Sequence, residues 1–118
     1  GRQIQFSKSK ITRPLKDVNV METESATFRC EVNKIPKDAA ITWYLNDKLL
    51  DSRSDKRVTT TVEGKRLVMT INDTSLADEG KVQVKVGPSC CEAKLRVEGK
   101  SKLLLLFSFH DRITDFYL

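Results

Sequence analysis

The chain alternates apolar and polar residues in short runs that are separated by turn residues. The clearest run spans residues 26–32, where every second residue is apolar: Ala26, Phe28, Cys30 and Val32. A period of two gives a strand one buried face and one exposed face. Similar runs follow at 41–45, 57–62, 66–71, 82–86 and 93–97, with turn signals about every ten residues. No helical period competes within 11–98, so the pattern predicts an all-β fold of two packed sheets.

Two of the predicted strands are joined by an acidic corner. The first has the apolar residues Leu67, Met69 and Ile71, and the second has Val82, Val84 and Val86. Between them, Asp78-Glu79-Gly80 predicts a tight corner, because glycine adopts positive φ without a steric penalty. Leu76 is the one large apolar residue of this connection, and we expect its side chain to fill the bottom of the core. Asp78 is expected to form an ion pair with Lys56 or Arg57.

The two ends of the chain do not share the alternation, so we expect one domain over residues 11–98. Residues 1–10 are polar and basic and are predicted to be a linker, and residues 11–21 to be an edge segment that contains Pro14. Residues 99–118 form an atypical tail with the run Leu103–Phe107. The tail is either a foreign or alternatively spliced end, or a docking segment for another chain or a membrane surface. The apolar run is too short to cross a bilayer, which takes about 20 residues.

The charge pattern argues against nucleic acid as a partner. The chain has 118 residues and a formal net charge of +5. Its basic residues do not form a block but alternate with apolar ones, as on the solvated faces of strands; examples are Lys81, Lys85, Lys94 and Arg96. Nucleic-acid binding requires a concentrated basic patch. We therefore expect a monomeric domain that binds neither nucleic acid nor membrane.

No catalytic or metal-binding arrangement is found in the sequence. His110 is the only histidine and lies in the tail, which excludes a Ser–His or Cys–His dyad within the domain. Zinc requires about four ligands, and the three cysteines have unsuitable spacing. The sequence therefore predicts a protein without enzymatic activity, cofactor or metal. Asn72-Asp73-Thr74 satisfies the rule for N-glycosylation, but we interpret it as a polar turn.

The three cysteines are the most reactive side chains of the predicted domain. An odd number favours a reducing compartment over a secreted protein, as does the absence of an apolar leader at the start of the chain. Alternation directs Cys91 inward with Ala93, and Cys90 outward. In one interpretation, Cys91 is a buried thiol and Cys90 is an exposed thiol without a function. In the other, the cysteines act in redox chemistry, through glutathionylation or a Cys30–Cys91 disulfide bond.

Several motifs together resemble an immunoglobulin domain of the intermediate (I-set) type. Cys30 and Trp43 lie 13 positions apart (43 − 30), and Leu67-x-Met69-x-Ile71 is followed by Asp78-x-Gly80. The resemblance covers residues 11–98 and implies a two-sheet Greek-key sandwich. Ile41-Thr42-Trp43-Tyr44 and Ala93-Lys94-Leu95-x-Val97 are most similar to the repeated domains of titin-like giant muscle proteins. The domains of obscurin, myosin-binding protein C and related sarcomeric proteins are alternatives with similar motifs.

The resemblance also assigns the structural core and shows where this sequence departs from the family. The matching core positions are Cys30, Trp43, Leu67, Met69, Ile71, Asp78, Gly80, Val82 and Val84. The family usually has tyrosine and cysteine at the last two positions, so the tyrosine corner and the intersheet disulfide, worth about 2–4 kcal/mol, are absent here. Cys30 is expected to pack as a small hydrophobe against Trp43 and Val84. Such a loss is typical of intracellular muscle members, which implies a cytoplasmic location in the sarcomere.

The resemblance implies a structural, mechanical module in a tandem array. Its partners would be neighbouring immunoglobulin domains and sarcomeric or cytoskeletal proteins. Residues 11–21 pairing with residues 81–98 would bear the load. An alternative is a protein-interaction domain that docks partners through an exposed strand edge or the tail. A second alternative is a cell-adhesion module, which predicts an oxidised Cys30 and a sugar on Asn72.

Overall fold

The computed structural model describes residues 9–37 and 40–100, which form nine strands and one 3₁₀ turn. The strands are β1 (Ile11–Arg13), β2 (Val18–Met21), β3 (Ala26–Val32), β4 (Ile41–Leu45), β5 (Lys48–Leu50), β6 (Val58–Glu63), β7 (Arg66–Ile71), β8 (Gly80–Val86) and β9 (Ser89–Glu98), and the 3₁₀ turn spans Leu76–Asp78. The predicted linker residues 1–8 and tail residues 101–118 lie outside this description.

The strands form two sheets that pack face to face. One sheet has the order β1-β3-β7-β6, and the other has the order β2-β9-β8-β4-β5. All neighbouring strands are antiparallel except β2 and β9, which are parallel. The prediction of an all-β sandwich of two sheets is therefore confirmed.

The core consists of the inward-facing residues of both sheets. Alternate residues of β3, β7 and β8 are buried, as the period of two predicts. The predicted core positions that are buried hydrophobic residues are Cys30, Trp43, Leu67, Met69, Ile71, Val82 and Val84. β6 differs, because only its first residue, Val58, is buried, and Val62 is 52% exposed. β6 is thus an edge strand that covers little of the core.

Short turns with left-handed residues connect the hairpins. Asn46 and Asp47 join β4 to β5 and have φ values of 51° and 69°. Two consecutive positive φ values match the right-handed twist of the strands, and asparagine and aspartate tolerate them. At the amino-terminal end, Lys10 exchanges hydrogen bonds with Asn33, and Ser9 is buried. These last two residues of the predicted linker are therefore held against the domain.

The prediction that residues 11–21 pair as one edge segment with residues 81–98 is wrong for the first half of that segment. β1 pairs with β3 in the opposite sheet, with Ile11 opposite Val32, and only β2 pairs with β9. Pro14 lacks a backbone donor and cannot extend the β1 ladder. Leu15 then turns into the core, so the chain crosses from one sheet to the other at this point.

The prediction that Leu76 plugs the core is also wrong. Its side chain is 54% exposed and lies beside Gly99, where the chain leaves β9. The buried residue of the same 3₁₀ turn is Asp78, whose side chain is acidic. A polar side chain occupies this interior position because a cation from the residue before β6 pairs with it there, as described below.

Candidate functional site

The parallel pair of β2 and β9 joins the beginning of the domain to its end. Val18 lies opposite Leu95, and the pairing continues to Met21 opposite Glu98. The chain enters β2 and leaves β9 at opposite ends of this pair, because the strands run in the same direction. Tension between the two ends therefore shears all the hydrogen bonds of the pair together.

Further backbone and side-chain hydrogen bonds connect the two segments at both ends of the β2–β9 pair. At one end, the N–H of Lys94 donates to Asp17 Oδ1 at 2.8 Å. At the other end, the N–H of Glu22 donates to the carbonyl of Glu98 at 2.8 Å, and Glu22 Oε1 accepts from the N–H of Lys100 at 2.9 Å. These contacts have no signal in the sequence, because each one joins residues more than 70 positions apart.

Two of the three cysteines meet in the interior between the sheets. Cys30 on β3 is buried, with 1% of its surface exposed, and hydrogen-bonds Cys91 on β9. Cys91 is half-buried, Cys90 is exposed, and all three thiols are free. Val84, which stands where the family usually has a cysteine, lies directly opposite Cys91 on β8. The two thiols thus form a pair between β3 and β9.

The pairing separates the acidities of the two thiols. The hydrogen bond with Cys91 and, next, burial raise the pKa of the Cys30 thiol. The hydrogen bond from Cys30 lowers the pKa of the Cys91 thiol to about 7, against the effect of burial, and the Leu15 backbone contributes in the same direction. Cys91 is therefore the nucleophile of the pair, since the thiolate is the reactive form.

A charged cluster closes the corner between β7 and β8. Arg57, just before β6, donates to both carboxylate oxygens of Asp78, at 2.8 and 3.1 Å. The same guanidinium binds Asp55 Oδ2 at 2.9 Å and the carbonyl of Asp73 at 3.1 Å. Asp78 Oδ2 also accepts the N–H of Ser75, which caps the 3₁₀ turn. Of the two cations considered from the sequence, Arg57 is the partner of Asp78.

The cluster keeps both aspartates ionised. Burial alone would raise the pKa of Asp78, but the hydrogen bonds from Arg57 and Ser75 outweigh it and lower the pKa. The side-chain hydrogen bond from Arg57, followed by its backbone N–H, lowers the pKa of Asp55. Val82, which replaces the family's corner tyrosine, is fully buried on β8. The charged cluster thus supplies polar contacts to a corner that has no tyrosine hydroxyl.

The corner glycine is fixed by a residue that the sequence did not single out. Gly80 has a φ of 151°, and a Cβ atom at this position would overlap the side-chain amide of Asn46. That amide accepts the N–H of Lys81 at 2.9 Å and donates to the carbonyl of Glu79 at 3.1 Å. Asn46 therefore ties the β4–β5 turn to the start of β8. The only signal in the sequence was a turn-forming Asn-Asp pair.

The described residues contain no cluster of three or more His, Cys, Asp or Glu side chains that could hold a metal ion. Within residues 9–37 and 40–100, no helix has the length and apolarity needed to span a membrane.

The Asn72-Asp73-Thr74 motif lies in a turn whose polar side chains make hydrogen bonds. The side-chain amide of Asn72 accepts a hydrogen bond from Ser25 and donates one to the carbonyl of Arg57. The hydroxyl of Thr74 is buried and donates to the carbonyl of Glu24 at 2.7 Å. Asn72 and Thr74 thus belong to a hydrogen-bonded turn.

Comparison with known proteins identifies the fold and its relatives. The immunoglobulin I-set domain model matches residues 9–98. Titin from Drosophila melanogaster is 34% identical over 89 residues, which cover 75% of this chain and 0% of titin after rounding. The striated muscle preferentially expressed protein kinase of Danio rerio is 33% identical over 87 residues, which cover 72% of this chain and 3% of the kinase.

Solved structures agree with the family match. The structure described as the IG27 protein domain superposes with a TM-score of 0.73 at 21% identity, and the match covers 80% of this chain and 98% of that one. This likeness shows the fold. The chain spans only a small fraction of the length of the curated relatives it matches. The family model covers most of the chain and agrees with the two-sheet topology, so this chain belongs to the immunoglobulin I-set family.

Proposed function

We propose that this domain is a load-bearing structural module of a titin-like muscle protein. The observation that carries the proposal is the parallel pairing of β2 with β9, which loads in shear when the two ends of the domain are pulled apart. The relatives support it, since both are muscle proteins much longer than this chain. In this role the domain has no enzymatic activity, and its strands carry the function.

The proposal includes a place and a set of partners. A module of this kind works in the cytoplasm, within the sarcomere, next to other immunoglobulin domains and in contact with sarcomeric or cytoskeletal proteins. The predicted domain boundaries, 11–98, and the assigned core positions belong to the same proposal. A protein-interaction role is the second candidate, and the exposed edge strand β6, with Val62 largely in solvent, favours it.

Single-molecule stretching of the full 118-residue chain between two reference domains tests the load-bearing role. The N–H of Glu22 points to β9, because it donates to Glu98, and successive residues of a strand point alternately to either edge. The N–H of Val20 therefore also points to β9. Val20→Pro removes this donor from the sheared pair, and we expect a lower unfolding force.

Val62→Pro is the matched control, because it places proline in an edge strand outside the sheared pair. Asn72 donates its N–H to the carbonyl of Arg57, so Arg57, Thr59 and Thr61 face β7. The N–H of Val62 then points to the open edge, and its loss breaks no ladder bond. Equal unfolding forces for the wild-type chain and Val20→Pro would reject the load-bearing role of the β2–β9 pair.

A further inference from the structure

A basic groove of about 420 Å³ lies where the chain crosses from one sheet to the other after β1. One wall is the edge of β3, and the other is the crossover segment with Pro14, Lys16 and Val18. This volume falls within the range of about 300–1,000 Å³ that is typical of ligand-binding clefts. The groove reaches the β2–β9 ladder only at Val18, the first residue of β2, and none of its lining residues belongs to the charged corner.

The groove carries an excess of positive charge. Four cationic side chains line it, namely Arg13, Lys16, Arg29 and Arg66, and the single carboxylate among them is Glu31. Glu31 Oε2 lies 3.7 Å from Arg13 Nε and 3.9 Å from Arg66 Nη2, distances too long for hydrogen bonds. Glu31 therefore forms ion pairs with Arg13 and Arg66 but no hydrogen bonds, and the four cations and one carboxylate give a net charge of +3.

The wall of the groove is also an open strand edge. Val32 donates its N–H to Lys65 at the β7 side, so by alternation Thr27 and Arg29 direct their backbone groups away from β7. β1 covers this edge of β3 only at Glu31 and Val32, because the chain leaves the sheet at Pro14. Within the described part of the chain, no backbone hydrogen bond reaches the outer edge of Thr27 or Arg29.

An open strand edge inside a cationic groove matches one kind of ligand. We infer that this groove binds an extended acidic peptide segment of a partner protein, which adds a short strand to the outer edge of β3. Strand addition obtains affinity from main-chain hydrogen bonds and specificity from alternate side chains. Every second residue of the added strand lies on the outer face with Arg29, where a carboxylate is favoured. The residues between them meet Pro14 and Val18, where apolar side chains are favoured.

This inference does not depend on the load-bearing role, because the groove lies beside the force-bearing pair. The probe is a blocked octapeptide of four Glu-Val repeats with a fluorophore, titrated with the full chain and followed by fluorescence anisotropy. Arg29→Glu should weaken binding at least about tenfold. Arg29 is exposed, so the substitution leaves the core intact.

Arg96→Glu is the matched control, since Arg96 is an exposed arginine on β9 opposite Asn19. It changes the net charge equally, and we expect it to weaken binding less than about threefold. Equal losses for the two variants would overturn the inference, because they would indicate attraction to the overall charge. Failure of the Glu-Val peptide to bind the wild-type chain would overturn it as well.

The role of the strand edge has its own test. Two further peptides carry N-methyl groups, one on all glutamates and one on all valines. In an added strand only alternate residues donate to β3, so one methylated peptide should bind at least about tenfold more weakly than the other. Equal binding of both would overturn strand addition. Unchanged stretching behaviour of Arg29→Glu together with lost peptide binding would show that the two functions are separate.

Discussion

The guanidinium of Arg57 holds both carboxylate oxygens of Asp78, at 2.8 and 3.1 Å. The pair connects the residue before β6 with the 3₁₀ turn before β8, two places 21 positions apart in the chain. The Asp78 side chain is only 8% exposed, so water cannot replace the lost contacts. Neutralising Asp78 removes two charge-assisted hydrogen bonds from Arg57 in a place that water does not reach, although Arg57 keeps Asp55 as a second counterion.

Asp78→Asn should therefore destabilise the domain. The amide keeps the shape but loses the charge that faces Arg57, and it accepts fewer hydrogen bonds. We expect a loss of about 2–3 kcal/mol in the free energy of unfolding, measured by urea denaturation at neutral pH. Asp47→Asn is the matched control, since Asp47 is 77% exposed and its ion pair with Lys81 lies at the surface. It should cost less than about 1 kcal/mol, and equal losses would contradict the role of the corner.

The same cluster predicts how stability depends on pH. In the folded domain the pKa values of Asp78 and Asp55 are lowered from 3.8. The unfolded chain therefore takes up protons first as the pH falls, and the folded state loses its advantage. The contribution is fully present above the unfolded pKa and is lost as the pH falls through the lower folded values. Urea titrations from about pH 6 to about pH 2.5 should show this loss.

Asp78→Asn removes one of the two titrating groups, so its stability should fall less steeply with acid than that of the wild-type chain. Parallel pH profiles for the two proteins would contradict the assignment of the effect to this corner.

The thiol pair predicts a specific disulfide. Cys30 and Cys91 lose two protons and two electrons to an added disulfide such as oxidised dithiothreitol, and one S–S bond forms between β3 and β9. We expect the bond to raise the free energy of unfolding by about 2–4 kcal/mol. Cys91 attacks first because its pKa is lowered to about 7, so the reaction should accelerate as the pH rises through this value. Peptide mapping under non-reducing conditions identifies the bond.

Two serine variants distinguish the neighbouring cysteines. Cys90→Ser should oxidise like the wild-type chain, because Cys90 is exposed and has no contact with Cys30 among the described hydrogen bonds. Cys91→Ser should not form the bond. A Cys30–Cys90 bond, or oxidation that yields only linked dimers, would contradict the prediction.

The sequence predicted what depends on local alternation and missed what depends on tertiary position. The period of two located the inner strands such as β3, because burial of one face marks every second residue. The crossing at Pro14 was missed, because β1 and β2 look alike in sequence and only packing decides which sheet each one joins. Leu76 was misplaced because a lone apolar residue in a turn has no period that would show its direction.

The chemistry of the candidate site divides in the same way. The inward direction of Cys91 follows from its register with Ala93, but its contact with Cys30 depends on how the two sheets pack. The pairing of Asp78 with a nearby cation was foreseeable from charge, whereas the recruitment of Asp55 and the Asp73 carbonyl was not. The role of Asn46 was not foreseeable, since its partners lie more than 30 positions away and the sequence shows only an Asn-Asp pair typical of a turn.

The contact of Asn46 with Gly80 gives the last prediction. Gly80→Ala places a methyl group where the Asn46 amide lies, and that amide must leave its hydrogen bonds to Lys81 and Glu79 to make room. We expect a loss of about 1–3 kcal/mol in the free energy of unfolding. Asn46→Gly removes the obstructing side chain and suits the φ of 51° at this position. In that background Gly80→Ala should cost less, because only the backbone strain at a φ of 151° remains. A double-mutant cycle measures the difference, and additive losses would show that the two residues do not interact.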